Sequence, residues 1–411
     1  MNLFNIITYL IVLSSIFGYI NVRFLKMPST IGLMVLSIIF SIVMLLVNYI
    51  KPELFRPIEA VVQQINFTSV LLNVMLSFLL FAGALHADSS LMRKESRTIL
   101  LFAVVGVLIS TFLIALMLYG VVQLIGYKLD FIYCLLFGAL ISPTDPIAVL
   151  GILTKANVPK RIEINIVGES LFNDGIGVVI FIIILQVVHN GVEHVSFGNV
   201  FILFLREAVG GLAFGFAIGY ITYYLLKAID HYETEVMITI AMVMGGYYLA
   251  SKLNVSGPLA MVVAGLFTGS RIKQYAMSST TGLYVDRFWE LIDAIMNAIL
   301  FVLIGLRLMV LDYTNTYLFI GLFAIPIVLM ARYLSIRLPL FISRKWVDLD
   351  RRGQLLMTWG GLRGGLSIAM ALSLSNETHK DLIVFITYII VLFSILVQGL
   401  TVEKFAKKLY S

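Results

Sequence analysis

Long apolar runs recur along the whole of this chain, and they constrain its fold more than any other feature. A helix needs about 20 apolar residues to cross a hydrocarbon core that is ~30 Å thick, and the 411-residue sequence contains many runs of that length. Charged residues make up 13% of the chain, roughly half of their share in soluble proteins. The short alternating segments of a membrane β-barrel do not fit this pattern. The sequence therefore predicts an all-α polytopic membrane protein.

The apolar runs divide into about thirteen predicted transmembrane helices, which form a single membrane unit over residues 1–411. Their approximate bounds are 5–24, 29–50, 66–87, 99–125, 131–153, 162–189, 197–228, 233–253, 256–272, 289–311, 316–342, 353–374 and 380–402. The first run has full span length and no basic segment before it, so we expect a span rather than a cleaved leader.

The basic residues are distributed unequally between the two sides that this topology defines. Nineteen of the 29 Lys and Arg lie on the side of the first loop and the C-terminus, six lie on the other side, and four lie inside spans. The six are Lys51, Arg56, Lys128, Lys252, Arg307 and Lys380, and the four are Arg206, Arg332, Arg337 and Arg363. Because cytoplasmic loops are rich in Lys and Arg, we expect a multi-pass plasma (inner) membrane protein with its N-terminus outside and its C-terminus in the cytoplasm.

Three pairs of spans share features at a constant separation of seven spans. The second and ninth open with a short Pro/Ser/Gly segment, the third and tenth end around a glycine, and the fifth and twelfth are interrupted. An odd separation places the two copies upside down relative to each other. The sequence therefore predicts inverted six-helix repeats at about 1–190 and 233–402, linked by the span 197–228. One broken helix in each inverted repeat is typical of secondary transporters.

The fifth span is broken by Ser-Pro-Thr-Asp-Pro at residues 142–146. Pro143 and Pro146 have no N–H group, so two carbonyls of the preceding turn lose their helical donors. Unwound backbone at this depth is tolerated only inside protein or along a wet cavity. The freed carbonyls, the Thr144 hydroxyl and the Asp145 carboxylate are hard oxygen ligands, which suit a small cation.

The twelfth span carries Arg363 near its middle, between two pairs of glycines. These are Gly360, Gly361, Gly364 and Gly365. Glycine permits an extended backbone and a close crossing of helices. A guanidinium at this depth needs an anionic partner or the carbonyls of a helix C-terminus. We therefore predict a second broken helix, with Gly361 and Gly364 beside a buried Arg363.

Four polar side chains in the sixth span carry the functional prediction. An ionised carboxylate at the bilayer centre costs about 2.5–3.5 kcal/mol or more, so a chain that keeps one there usually uses it. Ser170 and Asp174 share a helix face, whereas Glu169 and Asn173 share a face that is rotated away. Our hypothesis is that Asp174 and Ser170 form the ion and proton site. Glu169 is predicted to form a structural ion pair with Arg363, because each charge alone would be unfavourable.

The charge of this set indicates exchange. A single carboxylate in a low-dielectric site binds a proton more readily than one in water, and it also holds a monovalent cation. If both compete for Asp174 and the loaded site crosses the membrane in either form, the result is antiport. Asn173 is neutral, whereas an acid at that position would carry a second proton. The sequence therefore predicts electroneutral exchange of one cation for one proton.

Four segments together resemble the electroneutral sodium/proton antiporters of the NhaP/NHE type, over essentially the whole chain. They are Ser-Pro-Thr-Asp-Pro at 142–146, Gly-Glu-Ser-Leu-Phe-Asn-Asp-Gly at 168–175, Phe-Trp-Glu at 288–290 and Trp-Gly-Gly-Leu-Arg-Gly at 359–364. The resemblance implies the NhaA-like antiporter fold with crossed broken helices. It also implies a homodimer that works by elevator-like alternating access.

The resemblance assigns roles to single residues and to parts of the chain. The residues that match the family's ion site, and that would hold Na+, are Asp174, Asp145, Thr144 and Ser170. Asn173 matches the asparagine of electroneutral members, and Glu169 and Arg363 match a core ion pair. A mobile core would comprise about 66–189 and 289–402, and the dimerisation helices would comprise about 1–50 and 197–272. Arg307 departs from the neutral or acidic residue expected at the end of the tenth span, and it bears on the outer approach of cations.

These observations predict a secondary active antiporter that exchanges Na+ or Li+ for H+ in pH and sodium homeostasis. We expect no enzymatic activity, no cofactor and no nucleic acid, with cations, protons and membrane lipid as the partners. A K+/H+ antiporter on the same scaffold is the first alternative. A cation channel is less favoured, because a channel needs a continuous pore. His86, at the cytoplasmic end of the third span, is expected to be an interfacial residue.

Overall fold

The computed structural model describes residues 3–53, 62, 69–145, 158–191, 197–311, 314–343, 349–375 and 378–410. Within these residues the chain is built from α-helices, without a β-strand. In chain order the α-helices are α1 (Leu3–Ile20), α2 (Ser29–Ile50), α3 (Leu76–Leu85), α4 (Ser89–Lys94), α5 (Ser96–Leu100), α6 (Val107–Ile125), α7 (Phe131–Ile141), α8 (Lys160–Asn190), α9 (Phe197–Lys227), α10 (Tyr232–Lys252), α11 (Gly257–Phe267), α12 (Lys273–Tyr275), α13 (Ser279–Arg307), α14 (Asn315–Ile342), α15 (Arg351–Trp359), α16 (Gly365–Leu372), α17 (Lys380–Phe393) and α18 (Leu400–Tyr410).

Short π-helical turns continue several of these helices, so that neighbouring elements form longer rods. The π-helical turns in the described part of the chain are Asn21–Leu25, Ser69–Met75, Leu101–Gly106, Thr268–Ile272 and Ser394–Gly399. One of them joins α5 to α6 in a continuous apolar stretch over Ser96–Ile125. A helix that π turns lengthen in this way spans more of the membrane than its α-helical part alone.

The all-α membrane architecture is confirmed. Among the described residues, eight helical stretches are long and apolar enough to cross a membrane, judged by length and composition. They are Asn5–Leu25, Ser29–Ile50, Ser96–Ile125, Lys160–Asn190, Gly198–Lys227, Ser279–Val310, Asn315–Phe341 and Lys380–Tyr410. The other five predicted spans fall on α3, α7, α10, α11 and the pair α15 and α16. The total of thirteen spans stays a prediction.

Polar side chains mark where several helices begin. Asp350 accepts a hydrogen bond from the backbone N–H of Gly353 at 2.8 Å and starts α15. Ser256 accepts from the backbone N–H of Leu259 at 3.3 Å and starts α11, with Pro258 in its first turn. Both arrangements satisfy donors that a helix N-terminus leaves without a partner, so these boundaries follow directly from local sequence.

Helix α8 lies inside the bundle and positions the polar residues of the sixth predicted span. It packs against α7 on one side and against α9 and α11 on others. Its residues are buried almost continuously from Ile162 to Ile184. Helix α14 packs against α6 and α17. The polar side chains of α8 are therefore held against neighbouring helices, and several of them meet the two broken helices.

Candidate ion-binding site

The two interrupted spans meet at their breaks. Helix α7 ends at Ile141, and the next four residues are not helical. Helix α15 ends at Trp359, and α16 begins at Gly365. The backbone N–H of Asp145 donates to the carbonyl of Leu362 at 2.8 Å, in an isolated antiparallel bridge. The predicted breaks therefore lie side by side, whereas Pro146 lies outside the described residues.

Arg363 binds the carbonyls that the first break exposes. Its Nη1 donates to the carbonyl oxygen of Ser142 at 2.5 Å and to that of Pro143 at 2.9 Å. Its backbone N–H donates to the Ser394 hydroxyl at 2.8 Å. A proline four residues after Ser142 provides no N–H for that carbonyl, so the guanidinium supplies a donor there. Arg363 is 2% exposed, and it finds the carbonyl partners that a cation at this depth requires.

The predicted ion pair between Glu169 and Arg363 is wrong in its cationic partner. Glu169 is fully buried and forms a bidentate salt bridge with Arg332 of α14. Arg332 Nη1 donates to Glu169 Oε1, and Arg332 Nη2 donates to Glu169 Oε2 at 2.8 Å. Arg363 instead lies across the break, where it binds carbonyl oxygens and interacts with Glu169 only through their charges. The physical reason is packing, since α14 brings a second guanidinium to the face of α8 that carries Glu169.

Thr144 joins the first break to α8 through three hydrogen bonds. The Asn173 Oδ1 accepts from the backbone N–H of Thr144 at 3.2 Å, and the Asn173 Nδ2 donates to Thr144 Oγ1 at 2.9 Å. The hydroxyls of Thr144 and Ser170 are 2.9 Å apart. All three side chains are at most 2% exposed. Asn173 therefore holds Thr144 of the first break in position, and the sequence did not predict this contact.

Asp174 lies one residue beyond this cluster and differs from it in exposure. Asp174 and Asp145 are partly accessible residues, whereas Asn173 and Ser170 are buried. The Asp174 carboxyl interacts electrostatically with the carboxyl of Asp145 and with the guanidinium of Arg363, in opposite senses. The predicted ion-site residues are thus near one another around the crossing, and their donor atoms are all oxygens.

The predicted glycines lie where side chains of neighbouring elements pack directly against the backbone. A Cβ atom at Gly364 would lie 2.2 Å from Asp145 Oδ2, and one at Gly361 would lie 2.8 Å from Arg332 Nε. On α8, a Cβ at Gly177 would lie 2.1 Å from Pro143 Cγ. Such distances are too short for non-bonded atoms. The crossing therefore requires the absence of a side chain at these positions, as the sequence predicted for Gly361 and Gly364.

Sequence reasoning missed Arg332 and Ser394 as parts of this region. Arg332 was identifiable as a cation inside an apolar run, since such a group needs a partner. No local signal distinguishes Ser394 from other membrane serines. His86 is exposed at the end of α3, with its Nδ1 2.8 Å from the carbonyl oxygen of Ala82, and its interfacial position stays a prediction.

Comparison with known proteins gives consistent matches over the whole chain. Residues 11–408 match the family model described as sodium/hydrogen exchanger, transmembrane. The chain is 45% identical to the Na+/H+ antiporter NhaP of Pseudomonas aeruginosa, over 99% of this chain and 97% of that protein. It is 32% identical to the Na+/H+ antiporter NhaH of Halobacillus dabanensis, over 94% of this chain and 93% of that protein.

The fold has a counterpart among solved structures. The sodium proton antiporter MjNhaP1 from Methanocaldococcus jannaschii, solved at pH 8, superposes with a TM-score of 0.77 at 21% sequence identity. The match covers 100% of this chain and 99% of that chain. The predicted NhaA-like antiporter architecture is thus confirmed at the level of the fold. Together with the family model and the two sequence relatives, it shows that this multi-pass membrane protein belongs to the sodium/hydrogen exchanger family.

Proposed function

We propose that this protein is a secondary active antiporter that exchanges one Na+ or Li+ for one H+ without net charge movement. The relatives reported above carry the name Na+/H+ antiporter. The observation that carries the proposal is the Asp174 carboxyl, which belongs to a partly accessible residue beside two crossed broken helices. A carboxylate in such a place binds either a cation or a proton, so the two compete for it.

The formal charges around the crossing support a one-for-one exchange. Glu169 and Arg332 neutralise each other in their salt bridge. Arg363 contributes +1, and Asp145 and Asp174 contribute −1 each, so the three groups that interact around Asp174 sum to −1. One Na+ or one H+ brings this set to zero. A membrane-embedded unit crosses more easily when it carries no net charge, so the loaded forms are the ones that move.

The proposed cation ligands are the carboxylates of Asp174 and Asp145 and the hydroxyls of Thr144 and Ser170. Carboxylate and hydroxyl oxygens suit hard cations such as Na+ and Li+. The two hydroxyls lie 2.9 Å apart, and Asn173 holds Thr144 from two directions. We assign to Asn173 the second task of remaining neutral, which limits the site to one exchangeable charge.

The proposal includes alternating access by movement of a core against a dimerisation domain. The core would comprise the helices within 66–189 and 289–402, and the dimerisation helices would lie within 1–50 and 197–272, with inverted repeats at 1–190 and 233–402. Two copies of the chain would form a homodimer, with each C-terminus in the cytoplasm. In the cell, exchange of this kind would serve pH and sodium homeostasis at the plasma (inner) membrane.

Reconstituted vesicles test the proposal. The purified protein is placed in liposomes that contain an internal pH dye at acidic pH, with equal K+ on both sides and valinomycin to hold the membrane potential at zero. External Na+ or Li+ is expected to raise the internal pH, and Asp174→Asn protein serves as the inactive control. Repeating the assay at imposed potentials is expected to leave the initial rate unchanged, because no net charge moves.

Two results would contradict the proposal. A rate that changes steeply with potential would show net charge transfer and overturn one-for-one exchange. A pH response to K+ gradients, with none to Na+ or Li+, would establish the K+/H+ alternative on the same scaffold. In that second assay the valinomycin is omitted, so that K+ moves only through the protein.

A further inference from the structure

A cavity of about 380 Å3 lies between two groups of helices and shares no lining residue with the ion site. On one side it is lined by Ile99 of α5 and Phe172 of α8. On the other side it is lined by Val263, Leu266 and Phe267 of α11. The lining of its interior is mostly apolar, so the cavity accepts hydrocarbon rather than a hydrated ion.

The mouth of this cavity is basic. A second cavity of about 650 Å3 shares Ser89, Arg93, Ser270 and Arg271 with the first and adds Lys94. The two cavities are therefore adjacent, and we call them together the basic cleft. Arg93 and Lys94 end α4, just before the apolar stretch Ser96–Ile125 begins. The three cations thus lie where α4 and α11 leave the apolar part of the bundle.

The cations of the mouth are available to a ligand. Arg93, Lys94 and Arg271 are exposed, and within the described residues none of them is joined to a carboxylate by a salt bridge. Arg271 lies over the ring of Tyr275, with its Cζ 5.7 Å from the ring centroid. A guanidinium that stacks on an aromatic ring keeps its N–H donors at the edge of the planar group, where they can bind an anion.

The acidic groups nearby do not cancel this charge. The Asp88 carboxylate caps α4, where it accepts from the Ser90 hydroxyl at 2.7 Å and from the Leu91 N–H at 3.1 Å. These hydrogen bonds hold the pKa of the Asp88 carboxyl below its usual range. Asp286 forms its own salt bridge with Lys273 at 2.6 Å. One of these acids caps a helix and the other is paired with Lys273, so Arg93, Lys94 and Arg271 leave the mouth with a positive excess.

We propose that the basic cleft binds an anionic phospholipid, with its phosphate on Arg93, Lys94 and Arg271 and an acyl chain in the apolar cavity. Clustered Lys and Arg between membrane helices attract anionic headgroups, and a guanidinium binds phosphate oxygens in a bidentate manner. A cation in transit would be repelled by the same positive charges. A small soluble anion would use the mouth and leave the 380 Å3 apolar interior without a role.

The consequence for transport rests on the function proposed above. One wall of the basic cleft belongs to the proposed core, through α4, α5 and α8, and the other belongs to the proposed dimerisation helices α9 and α11. A lipid that contacts both walls favours the arrangement in which the cleft has its present shape. Occupancy is therefore expected to change the exchange rate.

Native mass spectrometry of the detergent-purified full chain tests the binding. The parent protein is expected to retain phosphatidylglycerol and to release phosphatidylcholine of the same chain length. Arg93→Gln/Arg271→Gln is expected to weaken phosphatidylglycerol binding about tenfold or more. Lys404→Gln/Lys408→Gln removes the same charge from exposed positions of α18, and it is expected to bind like the parent. Equal losses in both double variants would reduce the effect to general attraction and overturn the site.

Two further measurements separate the lipid from other occupants. Val263→Phe keeps every charge but fills the apolar interior, so it is expected to weaken phosphatidylglycerol binding severalfold; unchanged binding would overturn the acyl-chain assignment. Glycerol 3-phosphate carries the headgroup chemistry without acyl chains, and competition by it at micromolar concentration would assign the mouth to a soluble anion instead.

Size-exclusion profiles identify variants that fail to fold, and for these a milder Arg271→Lys variant replaces the double change.

Separate measurements test the lipid site and the proposed function, so one can be contradicted without the other. Asp174→Asn protein is expected to bind phosphatidylglycerol like the parent, because the ion site and the basic cleft share no residue. In liposomes, replacing phosphatidylcholine with a phosphatidylglycerol mixture is expected to change the Na+-driven rate of the parent at least twofold. The same replacement is expected to leave the rate of Arg93→Gln/Arg271→Gln unchanged, and an equal response in both proteins would overturn the regulatory consequence.

Discussion

Asn173 offers Thr144 both a donor and an acceptor, and this combination is available to an amide but not to an ionised carboxylate. Its Nδ2 donates to Thr144 Oγ1 at 2.9 Å, while its Oδ1 accepts from the Thr144 N–H at 3.2 Å. A buried group that loses its hydrogen-bond partner costs about 1–3 kcal/mol. The residue therefore contributes to the geometry of the site as well as to its proposed charge.

Replacing Asn173 by Asp is expected to impair transport rather than to create a two-proton exchanger. The carboxylate cannot donate to Thr144 Oγ1, so the break loses a contact, and the initial exchange rate should fall about tenfold or more in the vesicle assay. Asn190→Asp, the same change at an exposed position of α8, is the matched control and should behave like the parent. An active Asn173→Asp protein whose rate depends on potential would show that charge alone defines its role.

Asp174→Asn is expected to abolish exchange while leaving the fold intact. The amide is nearly isosteric, but it neither binds a proton near neutral pH nor neutralises a cation. The exchange rate should fall to that of protein-free vesicles, and the thermal unfolding midpoint should equal or exceed that of the parent, because a carboxylate has been removed from a low-dielectric region. Full exchange by this variant would show that another residue carries the ion.

The Glu169–Arg332 pair is expected to behave as a structural unit. Arg332→Met leaves a buried carboxylate without its partner, which destabilises a protein by about 3–5 kcal/mol. Glu169→Leu/Arg332→Met removes both charges, so most of the lost stability should return. The control Glu169→Leu/Arg363→Met should show no such recovery, since Arg363 binds the Ser142 and Pro143 carbonyls. Thermal unfolding of the purified variants decides between the two arginines.

At the scale of helices, the site depends on a crossing that each broken helix alone could not form. The break after α7 exposes carbonyls, and the break between α15 and α16 carries the guanidinium that binds them. The backbone hydrogen bond from the N–H of Asp145 to the carbonyl of Leu362 fixes the position of one break relative to the other. Each helix thus satisfies polar groups that the other leaves unpaired, which is how unwound backbone is tolerated inside a membrane protein.

Gly364→Ala is expected to separate the two broken helices. The new Cβ would lie 2.2 Å from Asp145 Oδ2, so either the carboxylate or the backbone must move. A displacement of about 1 Å at the site is enough to reduce the initial exchange rate tenfold or more. Gly245→Ala in α10 is the matched control, because an added Cβ there meets nothing within 4 Å. Parent-like transport by Gly364→Ala would show that the present crossing is not the geometry that binds ions.

At the scale of the whole molecule, the distribution of the basic residues predicts which side of the membrane the basic cleft faces. Nineteen of 29 Lys and Arg lie on the side assigned to the cytoplasm, among them Arg93, Lys94 and Arg271. If the assignment holds, the lipid bound in the basic cleft comes from the inner leaflet.

Cysteine labelling tests the orientation. The chain has one cysteine, Cys134, which is buried, so background labelling should be low. Lys408→Cys and Lys51→Cys place a thiol at exposed positions, which the predicted topology assigns to opposite sides of the membrane. In intact cells a membrane-impermeant maleimide should label Lys51→Cys and spare Lys408→Cys, and inverted vesicles should show the reverse. The opposite pattern would place the C-terminus outside.

Much of the candidate site was predictable because its causes are local. Proline lacks an N–H wherever it stands, and four glycines around an arginine interrupt a helix, so the breaks after Ile141 and after Trp359 followed from local sequence alone. The i, i+4 spacing of Ser170 and Asp174 likewise follows from helix geometry. The contact of Asn173 with Thr144 was not predictable, because it depends on how α8 meets a non-helical segment.

By itself, the sequence determined that the chain is a multi-pass helical protein, where two of its helices break and which acid lies among apolar residues. These properties follow from hydrophobicity and backbone chemistry, which act over a few residues. The tertiary structure decided which arginine neutralises Glu169, since Arg332 and Arg363 satisfy the same local requirement and only packing brings Arg332, 163 positions away, to that carboxylate. It also decided that Arg93 and Arg271 share one cleft, because that depends on the placement of α4 against α11 and not on any property of either segment alone.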